Sequence, residues 1–218
     1  MFYLDANQFY RASELDAFPW LIHGFGTRHS RPRASLATVK QIHSATCVAA
    51  QGRSGVLCEA DAIIENTPGN AIAVKTADCI PVLLVDERRR AAAAVHAGWR
   101  GTAARIVTAA IEAMAGRFGT DPADLHAAIG PGIGPCCYEV GAEVMAQFGG
   151  QGRGYLDLEA ENRRQLEDSG VTPGKIYASH LCTMCRSEEF HSFRRDREAA
   201  GRLYSFIGIE CEIPGKAP

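Results

Sequence analysis

The stretch AIAVKTADCIPVLLVDERRRAAAAVHAGWRGTAARIVTAAIEAM, Ala71 to Met114, decides how this chain folds. Two apolar runs, Ala71–Val74 and Ile80–Val85, flank the polar knot Thr76-Ala77-Asp78-Cys79. A third run, Ala91–Val95, stops at His96-Ala97-Gly98-Trp99-Arg100-Gly101. Short apolar runs bounded by turn residues predict buried strands. After Gly101 the period changes: Ala103, Ile106, Val107, Ala110, Ile111 and Met114 recur at helical spacing, which predicts one long amphipathic helix opened by Gly98–Gly101. Cys79 then lies between two strands and His96 at a strand end. Both are held by rigid elements, a better place for chemistry than a loose loop.

Outward from that centre, Pro19–Thr27 predicts a strand entering a glycine-marked turn, with Arg28 just beyond. Val39–Ala50 predicts a second strand in which Gln41 and His43, two residues apart, share a face. Ala60–Glu65 is a short strand. Arg117-Phe118-Gly119 closes the long helix with a cation and a glycine stop, and Asp121-Pro122 starts a brief turn. Leu125–Ile129 leads into Gly130–Pro135, whose alternating prolines lack the N–H groups that would cradle a pyrophosphate; a rigid loop forming a pocket wall is expected instead. Asp157–Ser169 is a polar surface helix. Ile176–Ser179 and Leu203–Cys211 are closing strands, with a polar loop at Cys182–Arg195. With no repeat, linker or composition break, the expectation is one domain over 1–218.

The composition excludes several classes. A formal net charge of −2 offers no general attraction to nucleic acid or anionic membrane. Arg88-Arg89-Arg90 is too short to change that. No apolar stretch reaches the roughly 20 residues of a membrane helix. The acid-bearing N-terminus has no signal-peptide core, so the eight cysteines are expected as reduced thiols in a cytoplasmic protein.

None of the seven histidines forms a His-x-His pair, and paired histidines are what a blue-copper oxidase with a trinuclear cluster is mainly built from. His43, Cys79 and His96 each interrupt or end an apolar strand beside turn residues. Together they would make a three-ligand site with a fourth position left for water, the pattern of catalytic zinc. Zinc would hold Cys79 as a thiolate and lower the pKa of its water toward about 7. The alternative is a buried apolar thiol and two satisfied core histidines, and spacing alone leaves both open. Cys182-x-x-Cys185 cannot close a metal site without partners, with Cys211 or His180 the nearest to join it. Cys136 and Cys137 are expected to point apart. Arg100 at a helix start could hold an anion, or be a surface cation beside a packing Trp99. Arg194 and Arg195 could bridge to Asp196 or reach substrate.

Several blocks together resemble one family: HGFGTR (23–28), KQIH (40–43), EADAII (59–64), KTADCIPVLL (75–84), AVHAGWRGT (94–102), IGPGIGPCCYEVG (129–141), then LCT (181–183), FHSFRRD (190–196) and GR (201–202). These are similar to the laccase-domain family, also called YfiH-type or polyphenol-oxidase-like, over roughly Trp20 to Ile209. The resemblance implies an α+β fold of mixed β-sheets covered by α-helices, and a mononuclear zinc site on His43, Cys79 and His96, with copper as the other ion considered. It implies phosphorolysis of adenosine, inosine, guanosine or methylthioadenosine, and adenosine deamination. Other labels in the family are a peptidoglycan editing factor that removes a misplaced serine, and a copper-dependent polyphenol oxidase. On this basis Asp78 would shuttle protons, Arg28 or Arg100 would hold phosphate, and Gln41 and Arg194 would contact the nucleoside. The expected partners are small molecules, without nucleic acid or membrane, and the expected state is a monomer or weak homodimer. A metal-free cysteine hydrolase using Cys79 and His96, and a non-catalytic binding module, are the other classes weighed. Two departures from the family pattern stand out. Only fourteen residues separate Arg28 from His43, predicting an open or rebuilt pocket wall, and His191 replaces an aromatic, predicting weaker stacking there.

Overall fold

A computed structural model describes residues 1–211, so the last seven positions of the expected 1–218 domain lie outside the described residues. In chain order the elements are β1 (Phe2–Leu4), β2 (Phe9–Ala12), β3 (Leu21–Gly26), β4 (Leu36–Lys40), β5 (Cys47–Ala49), β6 (Gly55–Glu59), β7 (Ala62–Glu65), β8 (Ala71–Thr76), β9 (Ile80–Asp86) and β10 (Ala91–Ala97). Then come α1 (Trp99–Ala103), α2 (Ile106–Phe118), β11 (Leu125–Ile129), β12 (Glu139–Val140), α3 (Ala142–Met145), β13 (Gly154–Tyr155), α4 (Leu158–Asp168), β14 (Ile176–Ala178), α5 (Phe193–Asp196) and β15 (Leu203–Ile209).

Two mixed sheets carry the fold, in the orders β1-β2-β3-β15-β8-β4-β6 and β14-β11-β9-β10-β7-β5. The second is buried on both faces, which is why its strands read as unbroken apolar runs rather than alternating ones. The pleat sorts their side chains. Ile80, Val82 and Leu84 of β9, with Ala91, Ala93 and Val95 of β10, meet α2 and α4. Leu83, Val85, Ala92 and Ala94 point the other way, onto Phe25, Ile72, Val74 and Ile207 of the first sheet. The layers are therefore helices, sheet, sheet, as the α+β expectation has it. Among the described residues no helix is long and apolar enough to cross a membrane.

The long helix expected after Gly98 is instead two. Arg105 takes a left-handed conformation at φ 60° and divides α1 from α2. In one continuous helix the Thr102 carbonyl would accept from Ile106; here it accepts from Arg105 N–H (3.0 Å) and from the Gln165 side chain (2.8 Å). Ala103 leaves the buried face, while Ile106, Val107, Ala110, Ile111 and Met114 remain on it. Asp157–Ser169 forms the expected polar surface helix, and this contact shows what its inner face buries: Asn162 and Gln165 of α4 pack against Thr102, beside Leu158 and Leu166. Strand β4 ends at Lys40, so Gln41 and His43 lie on a loop and the shared strand face expected for them does not exist. Gly130–Pro135 is not a pocket wall either. It packs over the Phe25 ring at Gly130 and over Ile80 at Gly132, where no side chain would fit.

His23 of β3 is fully buried, and its Nε2 accepts the Ala12 N–H at 3.0 Å. Burial, then the nearby Arg11 charge, press its pKa down to about 4 from 6.5. Between those values the unfolded chain binds a proton that the folded chain does not. Stability is thus complete above the unfolded value and falls by about 1.4 kcal/mol per pH unit toward about pH 4. Urea unfolding at pH 7 and pH 4.5 should show this loss, and His23→Gln, which keeps an acceptor but does not titrate, should remove that share of it. An unchanged pH slope in His23→Gln would refute the assignment.

Candidate active site

The site lies at one end of the doubly buried sheet. There β7 is flanked by β5 and β10, with Ala62 opposite Cys47 on one side and Val95 on the other. On the far side of β10, Ala97 pairs with Ile80. This register brings the loop before β5 (His43), the residue before β7 (Asp61), the end of β10 (His96) and the residue before β9 (Cys79) to one edge. The metal-binding atoms of His43, Cys79 and His96 all lie within 4.8 Å of one another. The two imidazole rings meet edge to face, 5.0 Å between centroids. A Cβ on Gly98 would stand 2.9 Å from the Cys79 sulfur and 3.2 Å from His43 Cδ2, so only glycine leaves the cluster room.

Asp61 organises this edge and sequence reading did not single it out. It is fully buried. One carboxylate oxygen accepts from His96 Nδ1 (2.8 Å) and His43 N–H (3.0 Å); the other accepts from Ser44 N–H (2.6 Å), Ser44 Oγ (2.8 Å) and Ile42 N–H (3.3 Å). Three successive N–H groups aimed at one anion form a nest, which accounts for the φ of 60° at His43. With Nδ1 engaged by Asp61, His96 presents Nε2 to the cluster, the second-shell arrangement of metal-ligating histidines. The available signal was an aspartate inside the apolar run Ala60–Ile64.

The electrostatics follow. Burial raises the Asp61 pKa, but the His96 and Ser44 hydrogen bonds outweigh it and bring it down to about 2. Burial would lower His96; Asp61 and Cys79 together carry it up to about 9. Burial would likewise raise Cys79, yet hydrogen bonds from both histidines hold it at about 6. A thiolate and two imidazoles form a soft donor set matched to zinc or copper, so the three side chains fit the ion that the resemblance implies.

The cluster opens into a cavity of about 750 Å³. Cations line it: Lys75, Arg100, Arg194, Arg197 and Arg202, with the rings of Trp99, Tyr138 and Phe193 among them. Arg100 lies over Trp99 (4.2 Å to the ring centroid) and Arg194 over Tyr138 (5.2 Å). Helix α1 has only five residues, so the helix-start anion site expected for Arg100 reduces to the guanidinium itself. Val39 and Lys40, at the end of β4 and within the short Arg28–His43 segment, line the cavity on that side. His191 does not line the cavity. In that motif it is Phe193 that faces inward, while Phe190 is core, 5.7 Å from the Tyr10 ring.

Three expected contacts are engaged elsewhere. Arg28 is outside the lining and donates to the Ser187 carbonyl (2.7 Å). Gln41 lines the cavity, but its amide brackets Lys75, donating to the carbonyl (2.7 Å) and accepting the N–H (2.8 Å). Asp78, at φ 86°, accepts from Thr183 Oγ1 (2.7 Å) and Arg194 N–H (2.6 Å), tying the turn before Cys79 to the start of α5. The cysteine expectations also change: Cys136 and Cys137 do not point apart, and neither Cys211 nor His180 joins Cys182 and Cys185. These four thiols gather with one another.

A family model described as multi-copper polyphenol oxidoreductase laccase matches residues 25–210. A purine nucleoside phosphorylase of Deinococcus radiodurans is 39% identical over 183 residues, which cover 79% of this chain and 70% of the relative. Adenosine deaminase RL5, from an unknown prokaryotic organism, is 37% identical over 161 residues, covering 67% of this chain and 61% of the relative. The crystal structure of the Bacillus licheniformis hypothetical protein YfiH superimposes with a TM-score of 0.86 at 28% identity, covering 96% of this chain and 99% of that one.

Replacing Asp61 tests the arrangement. Asp61→Ala should weaken metal binding by roughly 10- to 100-fold, measured by competition with a chromophoric chelator, because His96 loses its orienting partner and the His43 loop its anchor. Undiminished affinity would mean that the two histidines hold their places without it.

Proposed function

The chain belongs to the family described as multi-copper polyphenol oxidoreductase laccase, and on that premise we propose that it is a zinc-dependent purine nucleoside phosphorylase that also deaminates adenosine. The observation that carries this reading is the convergence of His43, Cys79 and His96 at the floor of a cavity lined by cations and aromatic rings. Relatives named purine nucleoside phosphorylase and adenosine deaminase support it. Adenosine, inosine, guanosine and methylthioadenosine are the substrates of choice, and the site works on small molecules without nucleic acid or membrane.

Zinc on the three ligands would leave a fourth position open and supply Lewis-acid polarisation there. The remaining work belongs to the chain. Lys75, Arg100 and Arg194 neutralise phosphate and hold it in the cavity, where guanidinium forks bind two oxygens at once. Tyr138 and Phe193 offer flat faces to a purine. In phosphorolysis a phosphate oxygen bonds to the anomeric carbon as the glycosidic bond breaks. The bond's electron pair leaves with the purine, which takes up a proton, and the bound phosphate itself stabilises the positive charge developing on the sugar. In deamination water adds to the purine carbon bearing the amine, and ammonia departs.

Asp78 is a positioning residue in this scheme, because both its oxygens hold neighbouring segments. Asp78→Asn preserves those contacts once the Thr183 hydroxyl turns, so kcat should stay within about tenfold and the pH profile should keep its shape. A loss of about 10²–10⁴-fold would restore Asp78 as the proton shuttle.

The thiolate of Cys79 beside His96 also favours a second reading, a metal-free cysteine hydrolase. Product analysis with adenosine separates the two. With phosphate present, adenine and ribose 1-phosphate should form; without it, inosine and ammonia. Both products should vanish in His43→Ala and after chelation, and return with zinc. Turnover that survives chelation but not alkylation of Cys79 would favour the hydrolase, and oxygen uptake rising with copper would favour the oxidase.

A further inference from the structure

We propose that Cys136, Cys137, Cys182 and Cys185 form a second metal centre, a four-thiolate site for a zinc-type divalent ion that joins the loop entering Tyr138 to the turn that holds α5. All four sulfur atoms lie within 4.8 Å of one another, and none of the four residues is buried: Cys136 and Cys185 are exposed, Cys137 and Cys182 half-buried, so they do not serve as core packing. Cys185 Sγ stands 3.4 Å from Cys137 Sγ and 3.6 Å from Cys136 Sγ. Four sulfurs at the zinc–thiolate distance of about 2.3 Å are separated by roughly 3.8 Å along each tetrahedron edge. The two Cys185 spacings match that to within a few tenths of an ångström, and no other pair exceeds it by more than about 1 Å, a gap that side-chain rotation closes.

The backbone is built to hold the sulfurs there. Gly132 pairs with Cys182 in an isolated bridge, with Thr183 N–H donating to the Gly132 carbonyl (3.0 Å) and Gly132 N–H to the Leu181 carbonyl (3.2 Å). Each loop then makes a tight turn: Cys137 N–H donates to the Gly134 carbonyl (3.0 Å), and Arg186 N–H to the Cys182 carbonyl (3.1 Å). Gly134 N–H donates to Cys182 Sγ (3.3 Å), a bond that favours the thiolate over the thiol. A disulfide is the competing outcome. It would join only two of the four sulfurs, whereas Cys185 faces Cys136 and Cys137 alike; a single ion uses all four.

The position gives the centre a structural task. Tyr138 follows Cys137 directly and lines the cavity. Thr183, within the Cys182–Cys185 turn, donates to Asp78, the neighbour of Cys79. Arg195 donates to the carbonyls of Thr183 and Met184, so the same turn also holds α5, which carries Phe193 and Arg194. The ion would fix the wall that presents the rings and Arg194, and would take no part in the reaction. It does not depend on the enzymatic reading.

Elemental analysis of the full chain, purified reduced and without chelators, should find about two zinc ions per chain. Cys182→Ser/Cys185→Ser should retain one, and Cys79→Ser should also retain one. X-ray absorption on Cys79→Ser should then show zinc in an all-sulfur shell at about 2.3 Å, against a mixed nitrogen and sulfur shell in the double variant. The Cys79→Ser measurement stands even if the double variant does not fold. One zinc in the wild type that Cys79→Ser abolishes, a nitrogen-containing shell in Cys79→Ser, or a disulfide among the four cysteines in the reduced purified protein would each overturn the proposal.

Discussion

A single buried carboxylate, that of Asp61, holds the site together. It takes in the N–H groups of Ile42, His43 and Ser44 on one side and the imidazole of His96 on the other. An ionised carboxylate without partners in a protein interior is unstable by several kcal/mol, so the surrounding donors and the ion they enclose enforce one another. The loop carrying His43 has no regular secondary structure to define it; the anion defines it instead.

That carboxylate reaches both histidines because of strand order. With β7 between β5 and β10, the residue preceding β7 stands level with the loop entering β5 and the end of β10. The pairing of β9 with β10 then adds Cys79 at the same level. The sheet can be this compact because β10 is almost all alanine, small on both faces, with helices against one and a second sheet against the other. A larger side chain at Ala92 or Ala94 would separate the sheets, since interiors packed this densely yield little.

Around the cluster, one network of polar contacts joins the reactive edge to its wall. Asp78 links the turn before Cys79 to Thr183 and to the start of α5. Thr183 lies in the turn with Cys182 and Cys185, whose sulfurs gather with those of Cys136 and Cys137. Tyr138 and Arg194, stacked on one another, project from this assembly into the cavity. The chemistry of the site and the rigidity of its rim are therefore coupled through residues in direct contact.

The buried strands, the buried face of α2 and its glycine stop were legible in the sequence, because apolar period and turn chemistry are local properties carried by neighbouring residues. The triad of His43, Cys79 and His96 was legible too, as three polar residues in apolar settings, although spacing alone left it open against ordinary core packing. Other features required the folded chain. The break at Arg105 comes from Gln165, sixty residues away, capturing the Thr102 carbonyl. The loss of Arg28 from the site and the bracketing of Lys75 by Gln41 depend on partners 159 and 34 residues distant. Asp61 looked like one polar residue in a strand, and the cysteines like a lone pair and an unrelated doublet. Local sequence records which face of an element is apolar; which elements meet at one edge depends on sheet order and register, and those arise only when the whole core is packed.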